Sequence, residues 1–203
     1  MDIAIGLPNA VSGATGTQLV EWARHADARG FSSLGTIDRI VYDNYEPLVA
    51  LAAAAAVTER IGLCTSVLLI VGGHADASFA RAARFADGWI AAGSGPEQFA
   101  EGADKAKAAW SEAGRDGEPR TAALAYFSLG DRAEEDARAY LTDYYAWLGE
   151  EIAEFLVAGA AKDAETVKRY VATYEEAGCD EPILCPSSAD SEQVDLLADA
   201  VGL

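Results

Sequence analysis

Between Leu63 and Trp89 the chain reads LCTSVLLIVGGHADASFARAARFADGW, which sets an apolar run, two glycines and a helix start side by side. The run Leu63 to Val71 has only Thr65 and Ser66 as polar interruptions, the composition of a strand buried on both faces. Gly72–Gly73 lets the backbone bend sharply or approach a ligand. Beyond it Phe79, Ala82, Ala83 and Ala86 recur at helical spacing, with Asp76 or Ser78 available as N-cap. Amide N–H groups and the helix dipole converge at such a junction, which is the chemistry of an anion site. A plain tight turn would carry the same letters. His74 follows the glycines, and imidazole titrates near neutrality, so it is a candidate general base. An inert, exposed histidine is the alternative. Asp38, with Arg39 beside it, closes the run SLGTID. A carboxylate there either serves chemistry or caps a loop.

Other chemistries find no support. The serines lack a G-x-S-x-G setting with a His/Asp partner, so a hydrolase triad is not expected. Cys64, Cys179 and Cys185 have no C-x-x-C spacing and read as reduced thiols of a cytoplasmic protein. With two histidines and no His/Cys/carboxylate cluster, no metal site is expected. Fifteen Lys plus Arg against 33 Asp plus Glu give a formal charge of −18. That excludes the basic footprint nucleic acid requires and disfavours anionic membrane. No apolar run approaches the roughly 20 residues of a membrane span, and MDIAIGLPN is not a signal peptide.

The elements that must position these residues alternate. Strands are expected at Ile3 to Leu7, Ser33 to Asp38, Leu63 to Val71, Gly88 to Ala92, Thr121 to Leu129 and Pro182 to Cys185. Between them lie a helix capped by Thr17 and ended by Gly30, one from Pro47 to about Glu59, and one from Ser78 to Ala86. Ser94 with Glu97 and Asp131 with Glu134 have capping-box spacing, the latter opening a helix to about Leu148. Asp163 caps Ala164 to Ala177, and Ser191 to Val201 is the closing helix. Strand–helix alternation predicts a parallel sheet with right-handed crossovers. About six strands fall two short of a closed eightfold barrel. The missing G-x-G-x-x-G after the first strand disfavours a doubly wound sheet. The expected fold is therefore α/β, an incomplete TIM-type barrel over residues 1–203 as one domain.

GGHADASFARAARFADGW and the preceding TSVLL resemble segments of the luciferase-like flavin and deazaflavin oxidoreductases, segments that lie far apart in full-length members. Here they are nearly end to end, so the resemblance implies a family member shortened by a large internal deletion. SLGTIDR is similar to the family's second-strand segment. Asp38 falls on its acidic position, whereas Arg39 replaces the usual histidine beside the cofactor ring and Gly35 the usual tryptophan. The closing AKDAETVKRYVATYEEAGCDEPIL is also family-like. The resemblance implies FMN or coenzyme F420 as cofactor, with hydride transfer or flavin-mediated oxygenation of a small molecule. Thr65, Ser66 and Val67 would support the ring, Gly72 and Gly73 would admit the phosphate tail, and Asp38 and His74 are the catalytic candidates. Arg84 would brace the ADG turn. The alternative reading is a catalytically degenerate flavin-binding or structural protein.

A sheet with missing strands has raw edges, so a homodimer is expected. The aromatic residues Tyr140, Tyr144, Tyr145, Trp147 and Phe155 then serve the core or a subunit interface.

Overall fold

In the computed structural model, residues 1–39, 42–65, 71–73, 75–92 and 96–203 are described. The strands are β1 (Ala4–Gly6), β2 (Ser33–Thr36), β3 (Gly62–Thr65), β4 (Val71–Gly72), β5 (Gly88–Ala92), β6 (Arg120–Phe127) and β7 (Glu181–Pro186). They form one parallel sheet in the order β3-β2-β1-β7-β6-β5-β4. The helices are α1 (Gly16–Arg29), α2 (Pro47–Ala55), α3 (Asp76–Phe85), α4 (Pro96–Glu112), α5 (Ala133–Tyr144), α6 (Glu150–Gly159), α7 (Ala164–Glu176) and α8 (Glu192–Val201).

The run expected as a single strand, Leu63 to Val71, is used twice. Its start, β3, pairs with β2 at one edge of the sheet, and its end, β4, pairs with β5 at the other. The residues between, 66–70, lie outside those described. Six chain steps separate Thr65 from Val71, so these edges are at most about 22 Å apart. A flat seven-stranded sheet would hold them about 29 Å apart. The sheet must therefore curl. Its registers show the stagger that accompanies curling. From Gly72 the ladders pass through Ile90, Ala122 and Glu181. Continued in register through β1 and β2, they return to the level of Arg60, about twelve residues back along the same run. The result is the incomplete TIM-type barrel, built from six β/α units.

Alternation along the strands separates two cores. Ile5, Leu34, Trp89, Ala123 and Leu184 pack outward on the helices, with Trp22, Phe79, Phe99 and Leu197. Ala4, Ile90, Leu124, Tyr126 and Ile183 face the concave side, where α5 and α6 supply Tyr140, Leu141, Tyr144 and Val157. At the N-terminal end, the buried Glu181 accepts from Ser32 Oγ (2.6 Å), Ser33 Oγ (2.8 Å) and Arg120 Nη2 (2.7 Å).

Several helix ends depart from the sequence reading. Thr15, not Thr17, caps α1, in a capping box with Gln18. Neither Asp76 nor Ser78 caps α3; its N-cap is Ala75, without a side-chain bond. Arg132 rather than Asp131 stands at the N-cap of α5. The expected helix to Leu148 stops at Tyr144, gives way to a 3₁₀ turn at Ala146–Leu148, and restarts as α6 after Gly149, whose φ is 95°. Arg115, not Arg84, braces the ADG turn, donating to the carbonyls of Ala83 (3.3 Å) and Ala86 (2.5 Å). Arg84 lies over the Phe85 ring instead. The Ser94 capping box falls outside the described residues.

Candidate functional site

All strands of a parallel sheet end on one side, so the loops after β1, β2, β4, β6 and β7 gather at one face. Asp38 and Gly72 are both there. Asp38 is exposed, and its Oδ1 accepts from Asn44 Nδ2 at 3.4 Å. Gly72 pairs with Ile90, a concave-face residue. Gly73 has φ +117°, a left-handed value that favours glycine. Its carbonyl accepts from Trp89 Nε1 at 3.0 Å. A Cβ at Gly73 would stand 2.8 Å from Ser78 Oγ, so the turn itself requires the glycine.

Thr65 is buried at the end of β3, in register with Thr36. This register puts both threonines on the side of the sheet where Leu34 packs against helices. Thr65 can therefore serve the concave face only through its backbone. Ser66, Val67 and His74 lie outside the described residues.

Arg39, at the position where the resemblance implies a histidine, packs into an aromatic cage. Its guanidinium lies over the rings of Tyr42 (5.2 Å), Trp147 (5.3 Å) and Tyr144 (5.7 Å) and donates to the Tyr144 carbonyl. The Tyr42 hydroxyl donates to Asp143. The β2 loop is thus pinned to the C-terminal end of α5. Beneath it the tyrosines interlock. Tyr126 and Tyr145 share a hydroxyl–hydroxyl bond of 2.7 Å, and Tyr140 stacks obliquely on Tyr144 with centroids 5.5 Å apart. Burial pushes the phenols of Tyr126 and Tyr140 well above their usual range, so both stay neutral.

Beside this cluster a groove of about 550 Å³ opens between the loops after β1 and β7 and helix α5. Ser187 forms part of its lining, buried and with no hydrogen-bond partner for Oγ. Nearby, Asn9 donates to the carbonyls of Ile37 (2.8 Å) and Tyr45 (3.3 Å), while its buried Oδ1 is unpartnered. The sequence reading missed Asn9, Ser187 and the groove. An Asn in the loop after the first strand was the one available signal.

The sequence profile described as luciferase-like monooxygenase matches residues 1–71 and 69–182. This chain belongs to the luciferase-like monooxygenase family. The two matched pieces meet between β3 and β4, where the sequence places the missing middle of the luciferase-like pattern. No curated protein sequence matches the chain. Among solved structures, an F420-dependent secondary alcohol dehydrogenase bound to an F420–acetone adduct superposes with a TM-score of 0.79 at 14% identity, covering 99% of each chain. The coenzyme F420-dependent tetrahydromethanopterin reductase from Methanopyrus kandleri gives 0.71 at 14% identity, again over 99% of each chain. The oxygenating constituent of a type II Baeyer–Villiger monooxygenase from Pseudomonas putida, in complex with FMN, gives 0.63 at 12% identity, over 98% of this chain and 96% of that one. These similarities establish a shared luciferase-like fold.

A phosphate-bearing coenzyme of this kind needs an anion site and a surface for its ring. The Gly73 turn runs into α3, whose first turn has no side-chain cap. Arg81 reaches back to that turn, with Nη2 3.2 Å from Ser78 Oγ. First-turn amides without a side-chain cap, a helix dipole and a guanidinium together suit a phosphate, against the single acid Asp76 in the same turn. The groove suits one poorly, because Asp136, Asp143 and Asp190 line it and Lys, Arg and His do not. Among the described residues, no group of His, Cys, Asp and Glu could hold a metal, and no helix is long and apolar enough to cross a membrane.

Proposed function

We propose that this protein is a flavin- or F420-dependent oxidoreductase acting on a small molecule, with low turnover. The observation that carries the reading is the Gly73–α3 junction, an uncapped helix start with Arg81 at hand on the face that also bears Asp38. Gly72, Gly73 and Arg81 would hold the coenzyme's phosphate. The backbone at Thr65, with Ser66 and Val67, would support the ring. Asp38 would orient the substrate, and His74 would serve as general base. The bound coenzyme would supply hydride transfer or flavin-mediated oxygenation. Low turnover follows from Arg39. A guanidinium pinned over three rings cannot take the histidine's place in proton transfer.

The purified protein should be titrated with FMN and with oxidised and reduced F420, followed by fluorescence. Micromolar to low-millimolar binding that weakens at least tenfold in Arg81→Ala is expected. No binding of any of the three at millimolar concentration rejects the reading.

A second reading, a degenerate structural homodimer, is favoured by the exposed Trp147, Ile152 and Phe155. They leave exposed apolar side chains beside and after the tyrosine cluster, suited to a second copy.

A further inference from the structure

The groove between the β1 loop, the β7 loop and α5 carries a charge pattern that a phosphate-bearing coenzyme does not explain. Asp136, Asp143 and Asp190 line it, against an apolar wall that includes Val11, Ala139 and Ala189. Each acid already accepts one hydrogen bond: Asp136 Oδ1 from Arg132 (3.1 Å), Asp190 Oδ1 from the Glu192 amide (3.0 Å), and Asp143 Oδ2 from the Tyr42 hydroxyl. Among the described residues their second oxygens accept none. Arg132 is largely exposed and shared with Glu135. Three carboxylates thus face the groove against one shared cation.

A second observation is independent of charge. Ser187 is 3% exposed, with its Oγ unpartnered, and Tyr140, 5% exposed, also lines the groove. A buried hydroxyl without a partner is destabilising relative to a satisfied one. Ligand polar groups are what usually satisfy such atoms in a lined cleft. Asp–ammonium contacts at a half-open groove are individually weak, so discrimination must come from more than one acid acting together. The whole-chain charge of −18 adds attraction for cations at low salt.

We infer that this groove binds a small organic cation: an amine on a short apolar body, its ammonium donating to Asp136, Asp190 and the Ser187 hydroxyl and its body lying against Val11, Ala139 and Ala189. The inference rests on the oxidoreductase reading only in calling that amine the substrate; the binding stands without it.

The test is calorimetric titration, without coenzyme, using phenethylamine, 3-phenylpropanol and 3-phenylpropanoate. The amine should bind at least tenfold more tightly than the alcohol, and the carboxylate not detectably. Raising salt from 50 to 500 mM should weaken the amine several-fold. The double variant Asp136→Asn/Asp190→Asn should reduce the amine to the alcohol's affinity. The carboxamide oxygen that Asp190→Asn leaves in place can still accept from the Glu192 amide, so the start of α8 is preserved. Should that variant fail to fold, Ala139→Trp, at an exposed helix position, fills the groove and should abolish amine binding. Equal affinity for amine and alcohol, no amine binding at 10 mM, or amine binding that survives either variant overturns the inference. Coenzyme titrations on the same protein separate the two ideas. Amine binding without coenzyme binding sinks only the oxidoreductase reading, and coenzyme binding without amine selectivity sinks only this one.

Discussion

The guanidinium of Arg39 donates to the carbonyl of Tyr144 while lying over that residue's own ring, 5.7 Å from its centroid. One side chain thereby fixes the loop after β2 to the end of α5, across the mouth of the curled sheet. Tyr42 and Trp147 complete the cage.

Arg39→Ala should therefore destabilise the protein by about 1–2 kcal/mol, through lost cation–π contact and an unpaired carbonyl. Arg39→Lys should recover only part of this, because an ammonium cannot stack as a guanidinium does. Urea unfolding of the three proteins measures both differences. Equal midpoints would show that the cage contributes nothing.

A helix glycine offers a sharper contest of effects. Replacing an interior helix glycine with alanine ordinarily stabilises by about 1 kcal/mol. At Gly102 in α4 a Cβ would fall 2.3 Å from Cη2 of Trp89, which is fully buried. Overpacking a core typically costs about 1–3 kcal/mol, and a rigid indole cannot retreat cheaply. Gly102→Ala should thus lower stability despite its better propensity. A higher thermal midpoint for the variant would refute the contact.

Much of this architecture was legible in the sequence because it is local. Strand–helix alternation, the Asp163 cap and the glycine stops at Gly30 and Gly178 are each written within a few residues. Helix starts slipped where a neighbouring polar residue offered an equal cap, as with Thr15 and Thr17. The double use of the run from Gly62 to Gly72 was not legible. Barrel stagger is a property of the whole sheet, and no single strand encodes it. The groove was hidden for the same reason, since Asp136, Ser187 and Val11 come together only when the first and last strands pair. Aromatic residues at spacings of three and four suit either core or interface, and the chain divides them. Tyr140 and Tyr144 are core, whereas Trp147 is 63% exposed.

That exposed aromatic surface leads to the assembly. A homodimer, twice the 21.3 kDa chain mass, is the expected outcome of light scattering at micromolar concentration. Trp147→Glu combined with Phe155→Glu should yield monomer while leaving the buried tyrosines intact. A wild-type monomer would sink the proposal, as would a dimer indifferent to both changes.

Stability at acid pH should report on Asp27. Its carboxylate accepts from the amides of Ile61 (2.9 Å), Glu59 (3.1 Å) and Arg60 (3.2 Å), tying α1 to the turn before β3. Those bonds, with the Glu59 amide foremost, hold its pKa below the ordinary Asp value of 3.8. A folded-state pKa below the unfolded one stabilises above the unfolded value, and the contribution is lost as pH falls through the folded value. Asp27→Ala should therefore lower the thermal midpoint clearly at pH 7, with the gap from wild type closing below pH 4. A gap constant from pH 7 to pH 3 would contradict the linkage.

The thiols give a last test, of the two buried cores together. Burial pushes both Cys179 and Cys185 up to about 12, in different layers. At pH 8 each would be thiolate in roughly one molecule in ten thousand, and a buried thiol is shielded from reagent as well. Cys64 on edge strand β3 is only half-buried, its thiol raised chiefly by burial. A thiol reagent at pH 8 should thus label Cys64 slowly in the native protein. Cys179 and Cys185 should react only when the sheet opens, at a common rate set by global unfolding. Faster labelling of Cys185 than of Cys179 would mean that the concave face, with its tyrosine cluster, opens independently of the helix-covered one. That result would also move Arg39 and its cage from a fixed closure to a movable one.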